Sequence, residues 1–98
     1  MRTLSYSENC LLVLFKIDSG KLIPLHNHPQ AQYGLVISGR GFFTSRNREV
    51  EVSEGDSYYI PPNEEHGFRA VEDVTVVDIF IPPRTDYLNF ARRPDIDS

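Results

Sequence analysis

The sequence predicts an all-β protein, an antiparallel sandwich or barrel, on three observations. Short runs rich in β-branched and aromatic residues alternate with Gly-, Pro- and Asp-containing turns along most of the chain. No long stretch repeats apolar residues at the helical spacing. Glu49, Val50, Glu51 and Val52 alternate polar and apolar, as a strand with one wet face does.

The elements follow in order. "CLLVLFKI", Cys10–Ile17, is the first expected strand, and Asp18–Ser19–Gly20 turns it. After the stretch "PLHNHPQAQ" comes "YGLVI", Tyr33–Ile37, which stops at "SGRG". "FFTS" and "EVEVS" flank Arg46–Asn47–Arg48 and read as a hairpin. Glu54–Gly55–Asp56 is a turn, "SYYI" a strand, and Pro61–Pro62 a break. "HGFRAV" and "VTVVDIFI" are two more strands, the second ended by Pro82–Pro83. The tail "RTDYLNFARR" has room for one short helical turn, and the last residues are expected to fray. This makes one domain over residues 1–98, with its core expected from about residue 10 to about residue 90.

Composition narrows the function. A net charge of −4 gives no electrostatic footprint for nucleic acid and no attraction to an anionic membrane. The arginines gather late, at Arg84, Arg92 and Arg93, a local feature suited to an acidic small molecule. Cys10 is the only cysteine, so there is neither an internal disulfide nor a thiolate zinc site. It opens an apolar run and reads as a buried, inert thiol. Leu11–Phe15 is too short to span a bilayer. Glu8 stands where a signal peptide would carry positive charge, so a cytoplasmic protein is expected.

The histidines carry the chemistry. His26 and His28 are one residue apart, Gln32 follows four later, and His66 comes after Gly55 and Pro61. Gly20 leads the first group as Gly55 leads the second. Period-two alternation places Gln32, Gly34 and Val36 on one face of their strand, with Tyr33, Leu35 and Ile37 on the other. It also groups His66, Phe68 and Ala70, and Val76, Asp78 and Phe80. If the sheet closes, these sets point inward together. Imidazole nitrogens and an amide oxygen suit a divalent transition ion such as Ni, Zn, Mn or Fe. A neutral donor set leaves the ion's charge uncompensated, with positions open for water or substrate. A lone H-x-H also suits a solvated loop, and His66 alone a hydrogen-bonded loop histidine. The Gly…Pro…His arrangement tips the balance towards a metal site.

Two stretches resemble a known family. "GKLIPLHNHPQAQYGLVISG", Gly20–Gly39, resembles the first cupin motif, and "GDSYYIPPNEEH", Gly55–His66, the second, with matching spacing throughout. Gln32 stands where the pattern has glutamate, and Asn63 where it has glycine; asparagine also accepts a left-handed backbone. The resemblance implies a jelly-roll barrel of at least six antiparallel strands, a homodimer, and one metal held by His26, His28, Gln32 and His66. Beyond the motifs, "VVDIFIPPRTDYL", Val76–Leu88, resembles the C-terminal segment of the KdgF pectin-degradation cupins. The N-terminus looks shorter than that family's, by about one strand.

That second resemblance implies an isomerase that opens the ring of an unsaturated uronate to a keto sugar acid, with Asp78, Phe80 and Arg84 as its catalytic residues. Asp78 would move a proton, Arg84 would grip the substrate carboxylate, and Phe80 would wall off water. Each has a plainer account: a structural carboxylate paired with Arg69 or Arg84, a core aromatic, a surface arginine. Tyr58 and Tyr59 face opposite ways, and core packing with the hydroxyl at the rim accounts for both. Val77, Ile79 and Ile81 form an apolar outer set, to be covered by a second sheet or another subunit. Two further functions fit the same motifs: another metal-dependent cupin enzyme, either an oxygenase or a polyketide cyclase, and a non-catalytic small-molecule binder. No DNA-binding segment accompanies the barrel.

Overall fold

The strand-forming runs close on one another as two antiparallel sheets. A computed structural model of the protein describes residues 1–88. These form β1 (Arg2–Tyr6), β2 (Leu11–Ile17), β3 (Leu22–His26), β4 (Ala31–Ser38), β5 (Arg40–Thr44), β6 (Glu49–Ser53), β7 (Ser57–Ile60), β8 (His66–Ala70), β9 (Val74–Ile81) and a single-turn helix, α1 (Thr85–Leu88). One sheet runs β1-β2-β9-β4-β7 and the other β3-β8-β5-β6. Interleaving late strands between early ones gives the all-β jelly roll that the sequence predicts.

The alternation expected of each strand decides what lies inside. β9 buries Val74, Val76, Asp78 and Phe80 and turns Val77, Ile79 and Ile81 outward. Val36, Val52, Phe68, Ala70, Val74 and Val76 pack into one apolar cluster between the sheets. Leu11, Val13 and Phe80 form a second, flanked by Tyr6, Phe15 and Tyr87. Leu11 and Val13 are wholly buried, and truncating Leu11 to Ala costs about 2–5 kcal/mol.

Two strands add to the runs expected within a core of residues 10–90. β1 lies ahead of it, pairs with β2, and buries Thr3 completely. β3 contains Pro24, and pairs with β8 through an irregular register between Ile23 and His26. Both are edge strands, where a missing N–H and a weak apolar pattern are tolerated. Cys10 is half-buried rather than buried. The tail forms α1 as expected, while Arg92 and Arg93 lie outside the described residues.

Tight turns hold the sheets in register. Gly39 joins β4 to β5 at φ 87°, where a side chain would strike the Asp73 carbonyl. The second sheet covers only the inner face of the first. On the outer face Tyr33, Leu35, Ile37, Tyr59 and Ile81 stay nearly half-exposed.

Candidate metal centre and catalytic cavity

Strand pairing assembles the histidines. His26 and His66 are cross-strand partners of β3 and β8, and their rings lie 4.5 Å apart. His28 sits in the loop after β3, its ring 5.0 Å from His66 and 5.9 Å from His26. That loop is tied to the turn ahead of β8, because the Asn63 N–H donates to the His28 carbonyl at 2.8 Å. Asn63 takes up the left-handed backbone at φ 64°, so it does the work of the glycine it replaces. One nitrogen from each ring falls within 4.8 Å of the others, a group able to hold a metal ion.

The other ring nitrogen of each histidine is already committed. His26 Nδ1 faces the Pro24 carbonyl at 2.9 Å, His28 Nδ1 the Gln30 carbonyl at 3.0 Å, and His66 Nδ1 the Glu64 carbonyl at 2.9 Å. A carbonyl only accepts, so each Nδ1 carries a proton, and Nε2 is the nitrogen each ring can offer to a metal. Backbone partners of this kind orient metal-binding imidazoles. Burial holds the pKa of His28 and of His66 below the usual value, and the nearby Arg84 charge adds to the effect on both. Both are neutral at pH 7, the form that binds a metal.

Gln32, inward from β4, completes the donor set. Its Oε1 lies 3.1 Å from His28 Nε2, and its amide group hydrogen-bonds the Asp78 carboxyl. With the amide N–H turned to the carboxylate, Oε1 is left facing the histidine lone pair. Two electron-pair donors at that distance suit a shared cation. The residues present therefore fit a divalent transition ion: three imidazoles and one amide oxygen.

Asp78 is 4% exposed, and burial pushes its pKa up to about 6, against the opposing pull of hydrogen bonds from Tyr58 and Gln32. Neither arginine named as its possible partner reaches it. Arg69 pairs with Glu49 at 3.0 Å, and Arg84 with Asp86 at 2.9 Å. Arg84 lies over the rings of Tyr87, at 4.2 Å, and Phe80, at 5.3 Å. Phe80 is both core and wall: it is 1% exposed, packs edge-on to His28 at 5.6 Å, and lines the cavity. Burial raises the pKa of the Tyr58 hydroxyl, and the Asp78 charge raises it further, so Tyr58 stays protonated and donates to Asp78 Oδ1. Its hydroxyl thus points into the cavity rather than to the rim, whereas Tyr59 stacks with Tyr33 outside.

The cavity between the sheets has a volume of about 100 Å³ and brings together His26, His66, Gln32, Tyr58, Asp78 and Arg84 on an otherwise apolar wall. It falls short of the roughly 300–1,000 Å³ of drug-sized ligand sites, which suits a small ligand.

The comparisons with known proteins agree with this geometry. Residues 13–81 match the cupin domain family model Cupin_2. The structure of KdgF from Halomonas sp. superposes with a TM-score of 0.80 at 30% identity, over 86% of this chain and 80% of that one. An RmlC-like cupin from Shewanella frigidimarina superposes at 0.81 with 25% identity, over 87% of this chain and 77% of that one. The H2HPP isomerase of Bacillus subtilis is 35% identical over 68 residues, 67% of this chain, which spans 29% of that protein's length. With both histidine motifs inside the matched region and the jelly roll around them, the chain belongs to the cupin family and is a small cupin of KdgF-like structure.

Proposed function

We propose that this cupin is a metal-dependent isomerase that opens the ring of an unsaturated uronate, or a closely related sugar acid, to the open-chain keto form. One observation carries the reading: a buried carboxyl poised near neutrality, Asp78, shares Gln32 with a three-histidine cluster, and Arg84 stands at the same cavity. The KdgF-like structure and an isomerase among the relatives support it.

The chemistry balances as an isomerisation. The anomeric hydroxyl loses its proton, the bond from the anomeric carbon to the ring oxygen breaks, and the resulting enolate takes a proton on carbon. Asp78 accepts the hydroxyl proton and returns one to carbon, a task for which a carboxyl with a pKa of about 6 is suited. Arg84 binds the substrate carboxylate through its guanidinium fork. Phe80 and Phe15 keep bulk water from the reacting face. When bound, a divalent cation at the histidines and Gln32 supplies positive charge against the negative charge developing on substrate oxygen.

The test follows the ultraviolet absorbance of freshly made unsaturated uronate with metal-loaded protein, with and without a chelator. Decay faster than the spontaneous rate, lost with chelator and restored by metal, is the expected result. Metal-loaded protein that leaves the spontaneous rate unchanged overturns the reading.

A further inference from the structure

Three residues stand in a row across the first sheet. Gly34 on β4 is the register partner of Tyr58 on β7 and of Asp78 on β9. Tyr58 is two strands from Asp78, yet its hydroxyl reaches the carboxyl, because its side chain lies flat across the strand between them. A Cβ on Gly34 would overlap the ring and hydroxyl of Tyr58. Gly34 is not among the glycines with positive φ, so the backbone itself does not call for glycine here. Glycine inside a strand is unfavourable by about 0.5–1 kcal/mol relative to alanine. What the missing side chain provides is the path of the tyrosine ring. The Phe43 ring packs against the Tyr58 ring with centroids 4.3 Å apart. The ring is thereby clamped between the β4 backbone and Phe43.

We propose that Tyr58 is a positioning residue, laid across Gly34 so that its hydroxyl fixes the Asp78 carboxyl against the cavity. The inference rests on the reading that Asp78 moves the proton. Core packing alone accounts for a buried ring, but it leaves unexplained why the hydroxyl ends on the carboxyl that shares Gln32 with the histidine cluster. Tyr58 donates to one carboxylate oxygen, and the Gln32 amide bonds the same carboxyl. Two donors on different strands fix the plane of the group, and proton transfer depends steeply on such alignment.

Tyr58→Phe keeps the ring and removes only the donor. Ring opening by the metal-loaded variant is expected to lose about 10- to 100-fold in kcat with KM held within about twofold. Metal content and melting temperature should match the parent protein. Gly34→Ala, which displaces the ring, should lower kcat to a similar degree in the parent and add nothing in a Tyr58→Ala background. Unchanged kcat in Tyr58→Phe, or losses from Gly34→Ala and Tyr58→Ala that multiply, would overturn the inference. A crystal structure of Tyr58→Phe tests it without turnover, and a rotated or doubled Asp78 carboxyl is expected. An Asp78 that keeps its single orientation there refutes the positioning role. If the parent protein fails to open the uronate while Asp78 turns in the variant, the substrate reading falls and the positioning role stands.

Discussion

Gln32 Oε1 and His28 Nε2 confront each other at 3.1 Å with a lone pair on each. The His28 proton is held on the other side of the ring by the Gln30 carbonyl, and the Gln32 amide N–H by Asp78. Turning the amide over only moves the conflict, setting Oε1 against a carboxylate. A cation between the two acceptors satisfies both.

Metal binding should therefore be stoichiometric and stabilising. One divalent transition ion per chain is expected by elemental analysis, and His66→Ala should abolish it. At a free metal concentration about 100 times the Kd, stabilisation comes to about 2.7 kcal/mol. A thermal melt should show this as a rise of several degrees that a chelator reverses.

Gln32→Glu separates binding from turnover. The new carboxylate adds a charged ligand, so metal should be held at least as tightly. It also sets a second negative charge beside Asp78 and removes the amide donor that the carboxyl uses. We expect kcat to fall about 10- to 100-fold with the metal site full. Metal content and single-turnover rate, measured on the same sample, check both halves.

Stability should carry opposite pH signatures from Asp78 and the histidines. In the metal-free protein Asp78 has a pKa raised to about 6 from 3.8, so the folded state binds the proton more tightly and stability falls as pH rises through that window. The full effect is at most about 3 kcal/mol. His28 and His66 are shifted downward from 6.5, so the unfolded state takes up protons first and stability rises with pH up to that value. Asp78→Asn removes the first contribution alone. Its melting temperature relative to the parent should rise between pH 4 and about pH 6 and level off above.

Arg84→Lys should act on KM. The guanidinium is spread over the Tyr87 ring and bonds Asp86 through Nε and Nη2. Lysine keeps the charge and loses the planar fork. An increase of about tenfold in KM for the uronate, with kcat less affected, is the expected kinetic result.

The sequence disclosed the interior strands well and the edges poorly. The span expected for β9 matches its observed bounds, because every second residue from Val74 to Phe80 is buried. β1 and β3 carry one buried residue and none, respectively, so no alternation marks them. The histidines were legible because all three fall in two short stretches, each opened by a glycine turn. Tyr58 was not, since a tyrosine in "SYYI" looks the same whether its hydroxyl ends at a rim or on an acid. The signal lay in another strand, at Gly34, and only the register between β4 and β7 connects the two. The pairing of Arg69 with Glu49 was equally invisible, since it depends on two strands of the second sheet lying on either side of β5.

The donor atoms come from both sheets, His26 and His66 from one and Gln32 from the other, with His28 on the connection between them. A cation held by all four acts as a rivet through the sandwich. Spreading the mouth of the barrel and releasing the ion then become one mechanical event. Amide hydrogens in the His28 loop and along β3 should slow in their exchange together when metal is added, at the rate set by metal dissociation.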